Sequence, residues 1–142
     1  MKSFFNKIDH DRVVAAIAAA EGTSSGEIRV HLHHRRVSDP QEEGKKVFEK
    51  LGMTKTRDRN GVLIFVAPRS RNFAILGDAG IHEKCGDDFW KKAAEGLSAH
   101  FRGGRFSDGL VATIEELGRV LAAHFPRRED DRDELPNEID ES

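Results

Sequence analysis

The chain has 142 residues, of which 37% are apolar and 34% charged, a size and balance that suit one globular domain and exclude a largely disordered chain. No run of eighteen apolar residues occurs, which excludes a helical membrane span. The net charge of −2 is uneven: residues 126–142 hold three arginines against eight acids, a net of −5, leaving +3 on the rest, too little and too scattered to point to nucleic acid.

In chain order, "MKSFFNKIDHDRVVAAIAAAEG" is broken by Lys7, Asp9, His10, Asp11 and Arg12, so it does not read as a signal peptide, and the expected compartment is the cytoplasm. The single Cys85 excludes an internal disulfide and fits a reducing compartment. Val13, Val14 and Ile17 predict a first helix over Ile8 to Ala20, stopped by Gly22. Phe4, Phe5 and Ile8 are expected to pack onto the domain. "GEIRVHLHH" alternates, with Ile28, Val30 and Leu32 on one face and Glu27, Arg29, His31 and His33 on the other. It reads as a half-buried edge strand whose polar face is solvated. His31 and His33 have the spacing of metal ligands, but Arg29 on the same face would repel a cation.

Ser38 or Asp39 as a cap, Pro40 at the first turn and Gly52 as a stop predict a second helix with Val47, Phe48 and Leu51 buried. "VLIFVA" from Val62 to Ala67 is apolar throughout, as in a strand covered on both faces. "NFAIL" follows the "PRSR" turn and should pair antiparallel with it. A third helix is expected over Asp87 to Phe101, then a turn at "RGGR", then a fourth helix over Ser107 to Phe125. The "FRGGRF" arginines could hold phosphate but lack P-loop spacing. The acidic tail, residues 126–142, reads as a flexible extension of the domain formed by residues 1–125, although Leu135 and Ile139 offer apolar docking points.

The element order α-β-α-β-β-α-α predicts an α/β fold, a three-layer α/β/α sandwich around a small mixed sheet. Parallel first and second strands put Glu27, the Asp58–Asn60 loop, the "GDAG" turn at Gly77–Gly80, Asp87 and Asp88 at one sheet end. His33, His34, Asp39, Arg69 and Arg71 fall at the other. Calcium or magnesium takes several oxygen ligands, so Glu27, Asp58, Asp78, Asp87 and Asp88 are the candidate metal ligands. The competing assignment gives Asp87 or Asp88 to a helix cap and Asp78 to its own turn. His82 near Cys85 is a weaker candidate pair for thiol catalysis, with no oxyanion-hole motif beside it.

The ordered segments "TSSGEIRVHL", "RNGVLIFVA", "FAILGDAGI", "FW" and "FSDGL" resemble the TPM domain family over about Val13 to Phe125. The family's glycine-aromatic-glycine turn appears here as Gly77-Asp78-Ala79-Gly80, without the aromatic residue. The chain looks like the short, soluble bacterial branch. The resemblance implies an α/β/α sandwich and divalent-cation binding, chiefly calcium. It also implies roles in photosystem repair or as accessory membrane factors in other members, with weak acid phosphatase activity in a plant member. No DxDx[TV]-type phosphatase motif is present, so hydrolysis would need metal-activated water. Three functions follow: a cation-binding interaction domain without strong catalysis and with a protein partner, a slow metal-dependent phosphomonoesterase, or a scaffold docking through its acidic tail.

Overall fold

The computed structural model describes residues 8–127 and 139–141. Helix α1 spans His10–Gly22, β1 Glu27–Leu32, α2 Pro40–Lys50, β2 Gly61–Ala67 and β3 Asn72–Gly77. A short helix α3 follows at Ala79–Cys85, then α4 at Asp87–Arg102, α5 at Phe106–His124, and a two-residue strand β4 at Asp140–Glu141. The strand order is β3-β2-β1-β4, with β1 parallel to both β2 and β4, and β3 antiparallel to β2. This is the α/β fold that the sequence predicts.

Alternation along β1 and β2 sends two sets of side chains to two faces. Ile28, Val30, Leu32, Val62, Ile64 and Val66 join one core with α1, α4 and α5 through Val13, Ile17, Leu97, Leu110, Ile114 and Leu117. Leu63, Phe65, Ala74 and Leu76 join a second core with Val47 and Phe48 of α2. The result is helices on both faces of the sheet. Asp39 caps α2 as expected, accepting from the Glu42 N–H, whereas α1 starts at His10, two residues after the expected Ile8, with Asp9 accepting from the Arg12 N–H.

Three expectations are corrected. Strand β1 is not a half-solvated edge: all six of its residues are buried, and β4 pairs with its outer side at His31 and Leu32. Neither Asp87 nor Asp88 caps α4. Gly86 holds that position with φ of 75°, and the two acids sit in the first turn, where the helix dipole favours them. The "GDAG" stretch is also more than a turn, because it opens α3 with Asp78 as the N-cap, its carboxylate accepting from Ala79 N–H.

Residues 128–138, including Leu135, lie outside the described residues, as do Phe4 and Phe5. The end of the acidic stretch is docked: Ile139 packs against the larger core and Asp140–Glu141 extend the sheet. Ile8 is buried in the same core.

Candidate functional site

The register pairs Glu27 with Gly61 and Val62 with Gly77, so the strand ends expected to meet do meet. The loop before β2 and the start of α3 are locked there by backbone. Gly80 N–H donates to the Arg59 carbonyl at 2.8 Å, Ile81 N–H reaches the same oxygen at 3.3 Å, and Asp78 N–H donates to the Gly61 carbonyl at 2.9 Å. Arg59 takes a positive φ of 52° to make this turn. Its guanidinium then grips Asp78 with both forks, Nε to Oδ2 at 2.7 Å and Nη2 to Oδ1 at 2.8 Å. The carboxylate stabilises the charged guanidinium and raises the Arg59 pKa.

The glycines of this joint are needed for their missing Cβ rather than for a left-handed backbone, since neither Gly77 nor Gly80 has positive φ. A Cβ on Gly77 would run into the Trp90 ring, and one on Gly80 into the Asp58 and Arg59 carbonyls.

The five candidate acids are separated. Glu27 is buried, 2% exposed, on the α2 face of β1. Asp58 accepts from Ser25 Oγ at 3.2 Å, and that oxygen accepts from Asn60 Nδ2 at 3.1 Å. Asp78 is held by Arg59. Asp87 is exposed and lies 3.4 Å from His82 Nε2; Asp88 is also exposed. Among the described residues no three His, Cys, Asp or Glu side chains are grouped so as to hold a metal ion. The structure therefore brings only part of the expected set to one place.

That place is an open cleft of about 440 Å³ between α2 and the start of α4, beside the end of β3. Asp78 and Asp87 line it together with Lys45, Phe48, His82 and Trp90. His82 stacks on Trp90 with the ring planes 17° apart. The indole N–H of Trp90 is buried and has no acceptor among the described residues. Chemically the cleft pairs an aromatic and aliphatic floor with charges of both signs. It holds no thiol: Cys85 packs against the core, and burial pushes its pKa up, away from the reactive thiolate.

A second polar cluster was not foreseen. At the far end of β1, His31 Nδ1 lies 2.6 Å from Asp140 Oδ2, and His31 Nε2 lies 3.0 Å from His33 Nδ1. The carboxylate can only accept, so His31 carries its proton on Nδ1 and its Nε2 accepts from His33. Arg29 Nη2 is 3.9 Å from the same Asp140, and His34 Nε2 is 3.1 Å from Glu141. His31 also stacks on Phe65, 5.3 Å between centroids. The histidine spacing was visible in the sequence; the partner, 109 residues away, was not.

Burial lowers the pKa of both His31 and His33; for His31 it outweighs the opposing pull of Asp140, and for His33 the neighbouring His31 adds to it. With the folded pKa below the ordinary 6.5, the unfolded chain binds more protons across that interval. Stability is thus complete above pH 6.5 and falls as pH drops through the folded values. Thermal melts should show a lower Tm at pH 5.5 than at 7.5, and His31→Gln should flatten that dependence. A slope untouched by this substitution would assign the effect to other groups.

The fold defines an α/β/α sandwich domain with an open cleft at one end of its sheet. The sequence profile of the TPM domain matches residues 1–120, and the chain belongs to that family. It is similar to the BA42 protein of the psychrophilic bacterium Bizionia argentinensis, solved by NMR: 43% identity over 94% of this chain and 92% of that one, with a TM-score of 0.86. It shares its fold with the N-terminal domain of a P. gingivalis protein, at 18% identity and a TM-score of 0.65, covering 81% and 76% of the two chains. No curated protein matches. Among the described residues no helix is long and apolar enough to cross a membrane.

Proposed function

We propose that this chain is a TPM-family interaction domain without strong catalysis, whose ligand site is the cleft between α2 and α4. One observation carries the reading: the cleft at the end of β3 joins an apolar floor of Phe48 and Trp90 to the charges of Lys45, Asp78 and Asp87. Apolar area with a few placed charges is the make-up of a binding site.

Calcium or magnesium enters this reading in a reduced form. The five acids do not form one ligand set, and both oxygens of Asp78 already hold Arg59. A cation at the cleft mouth would rest on Asp87, on water and on oxygens of the bound partner, and would bind weakly without that partner. A cytoplasmic place fits the unpaired Cys85 thiol.

Calcium titration followed by amide NMR tests the cation. Saturable shifts are expected at Gly77, His82 and Asp87, with an affinity at least tenfold weaker in Asp87→Asn, about 1.4 kcal/mol. Shifts centred on Glu27 and Asp58, or on His33 and Arg69, would place the ion elsewhere. Phosphomonoester turnover that depends on added metal and disappears in Asp87→Asn would restore the hydrolase.

A further inference from the structure

Strand β3 is an edge of the sheet, and nothing in its sequence defends that edge. Asn72–Gly77 reads "NFAILG", with no charge and no proline, whereas exposed edges are usually blunted by lysine, proline or bulges. The register fixes which of its groups face outward. Asp78 and Gly61 form a hydrogen-bonded pair, so in an antiparallel ladder Leu76, Ala74 and Asn72 also bond to β2. The N–H and C=O of Phe73, Ile75 and Gly77 then point away from β2, where among the described residues no strand pairs with them.

Two open spaces flank this row. The cleft already described lies beside Ile75, Leu76 and Gly77. A second, of about 420 Å³, lies beside Phe73 and is lined by α4 residues Lys91, Ala94, Glu95, Ser98 and Arg102. Between them they touch β3 at Phe73, Ile75, Leu76 and Gly77.

We propose that β3 is a docking edge for an extended peptide segment of a partner protein, added as a fifth strand and carrying carboxylate side chains toward α4. This names the partner of the proposed cleft and rests on that reading. Backbone pairing at Phe73, Ile75 and Gly77 supplies the attachment, and alternate side chains of the peptide supply selectivity. On the α2 face the peptide meets Phe48 and Leu76, which suit apolar residues. On the α4 face it meets Lys91 and Arg102 with Glu95 between them, a net positive rim that suits acids. A second copy of the chain fits less well. A two-fold axis through Ile75 would pair Phe73 with Gly77 of the copy and bring the two net positive α4 rims onto the same face of the joined sheet.

The test uses the full chain and a capped six-residue peptide alternating aspartate and valine, with a lysine-valine peptide as control. At saturating aspartate peptide, amide exchange at Phe73, Ile75 and Gly77 should slow severalfold while Ala74 and Leu76 stay as they are. Lys91→Glu with Arg102→Glu, both at the rim, should weaken the aspartate peptide at least fivefold and favour the lysine one. Unprotected amides with both peptides overturn the strand addition. Calcium shifts without peptide protection would leave the cleft as an ion site and end the peptide proposal. Protection that appears without peptide, together with a concentration-dependent dimer, would replace the peptide by a second copy.

Discussion

Gly80→Ala should be among the most damaging single-methyl changes to this domain. The added Cβ would meet the Asp58 carbonyl far inside van der Waals contact and the Arg59 carbonyl at 2.7 Å. Both obstacles are backbone, and Arg59 is fixed by the two N–H groups of α3 that bond its carbonyl. Relief requires the loop and α3 to part, giving up those bonds and the Arg59–Asp78 fork. Overpacking that moves backbone costs about 3 kcal/mol or more. The melting temperature of Gly80→Ala should fall by roughly 10 °C. Gly96→Ala, where a Cβ meets nothing within 4 Å in mid-helix, is the control and should be neutral or stabilising. A Gly80→Ala protein as stable as the parent would mean that the joint yields without loss.

Removing residues 139–142 should be nearly as costly, against the sequence-based expectation that the acidic stretch is a flexible extension. His31 is 1% exposed and its Nδ1–H donates to Asp140. Without that acceptor a buried donor is left unmade, at about 1–3 kcal/mol. Loss of Ile139 from the core adds on the order of 1 kcal/mol. A Tm lowered by several degrees is expected. Asp140→Ala should reproduce most of the loss, and Asp140→Asn, which keeps an oxygen acceptor, should recover much of it. Unchanged melting of the shortened protein would show that β4 contributes nothing.

What the sequence revealed and what it hid divide along physical lines. Helices α1 and α2 announced themselves through local signals: Asp39 as a cap, Pro40 at the first turn, and apolar residues at helical spacing. Strand β2 was plain because both its faces are apolar. Strand β1 misled because alternation between Ile28, Val30, Leu32 and Glu27, Arg29, His31 is the mark of a half-wet strand. Here the polar row is itself buried, and Asp140 reaches it from far along the chain. Helix α3 escaped because "AGIHEKC" is seven residues, too short to show a period. The meeting of the strand ends was legible, but the separation of the acids there and their chemistry were not. Whether Asp78 faces an ion or a guanidinium depends on the positive φ at Arg59, which no spacing rule encodes.

The pairing of β4 with β1 also sets an order of events during synthesis. The histidine and the aspartate that complete the sheet are 109 positions apart, so the ribosome must deliver residue 140 before His31 finds its acceptor. Until then a nascent domain with α1 to α5 already in place carries an imidazole N–H without its native acceptor and an unpaired strand margin at His31–Leu32. Long-range pairings of this kind form late and leave their margins open to wrong neighbours in the interval. Folding on the ribosome should accordingly end with a distinct locking step, and protease resistance should rise only when Asp140 emerges.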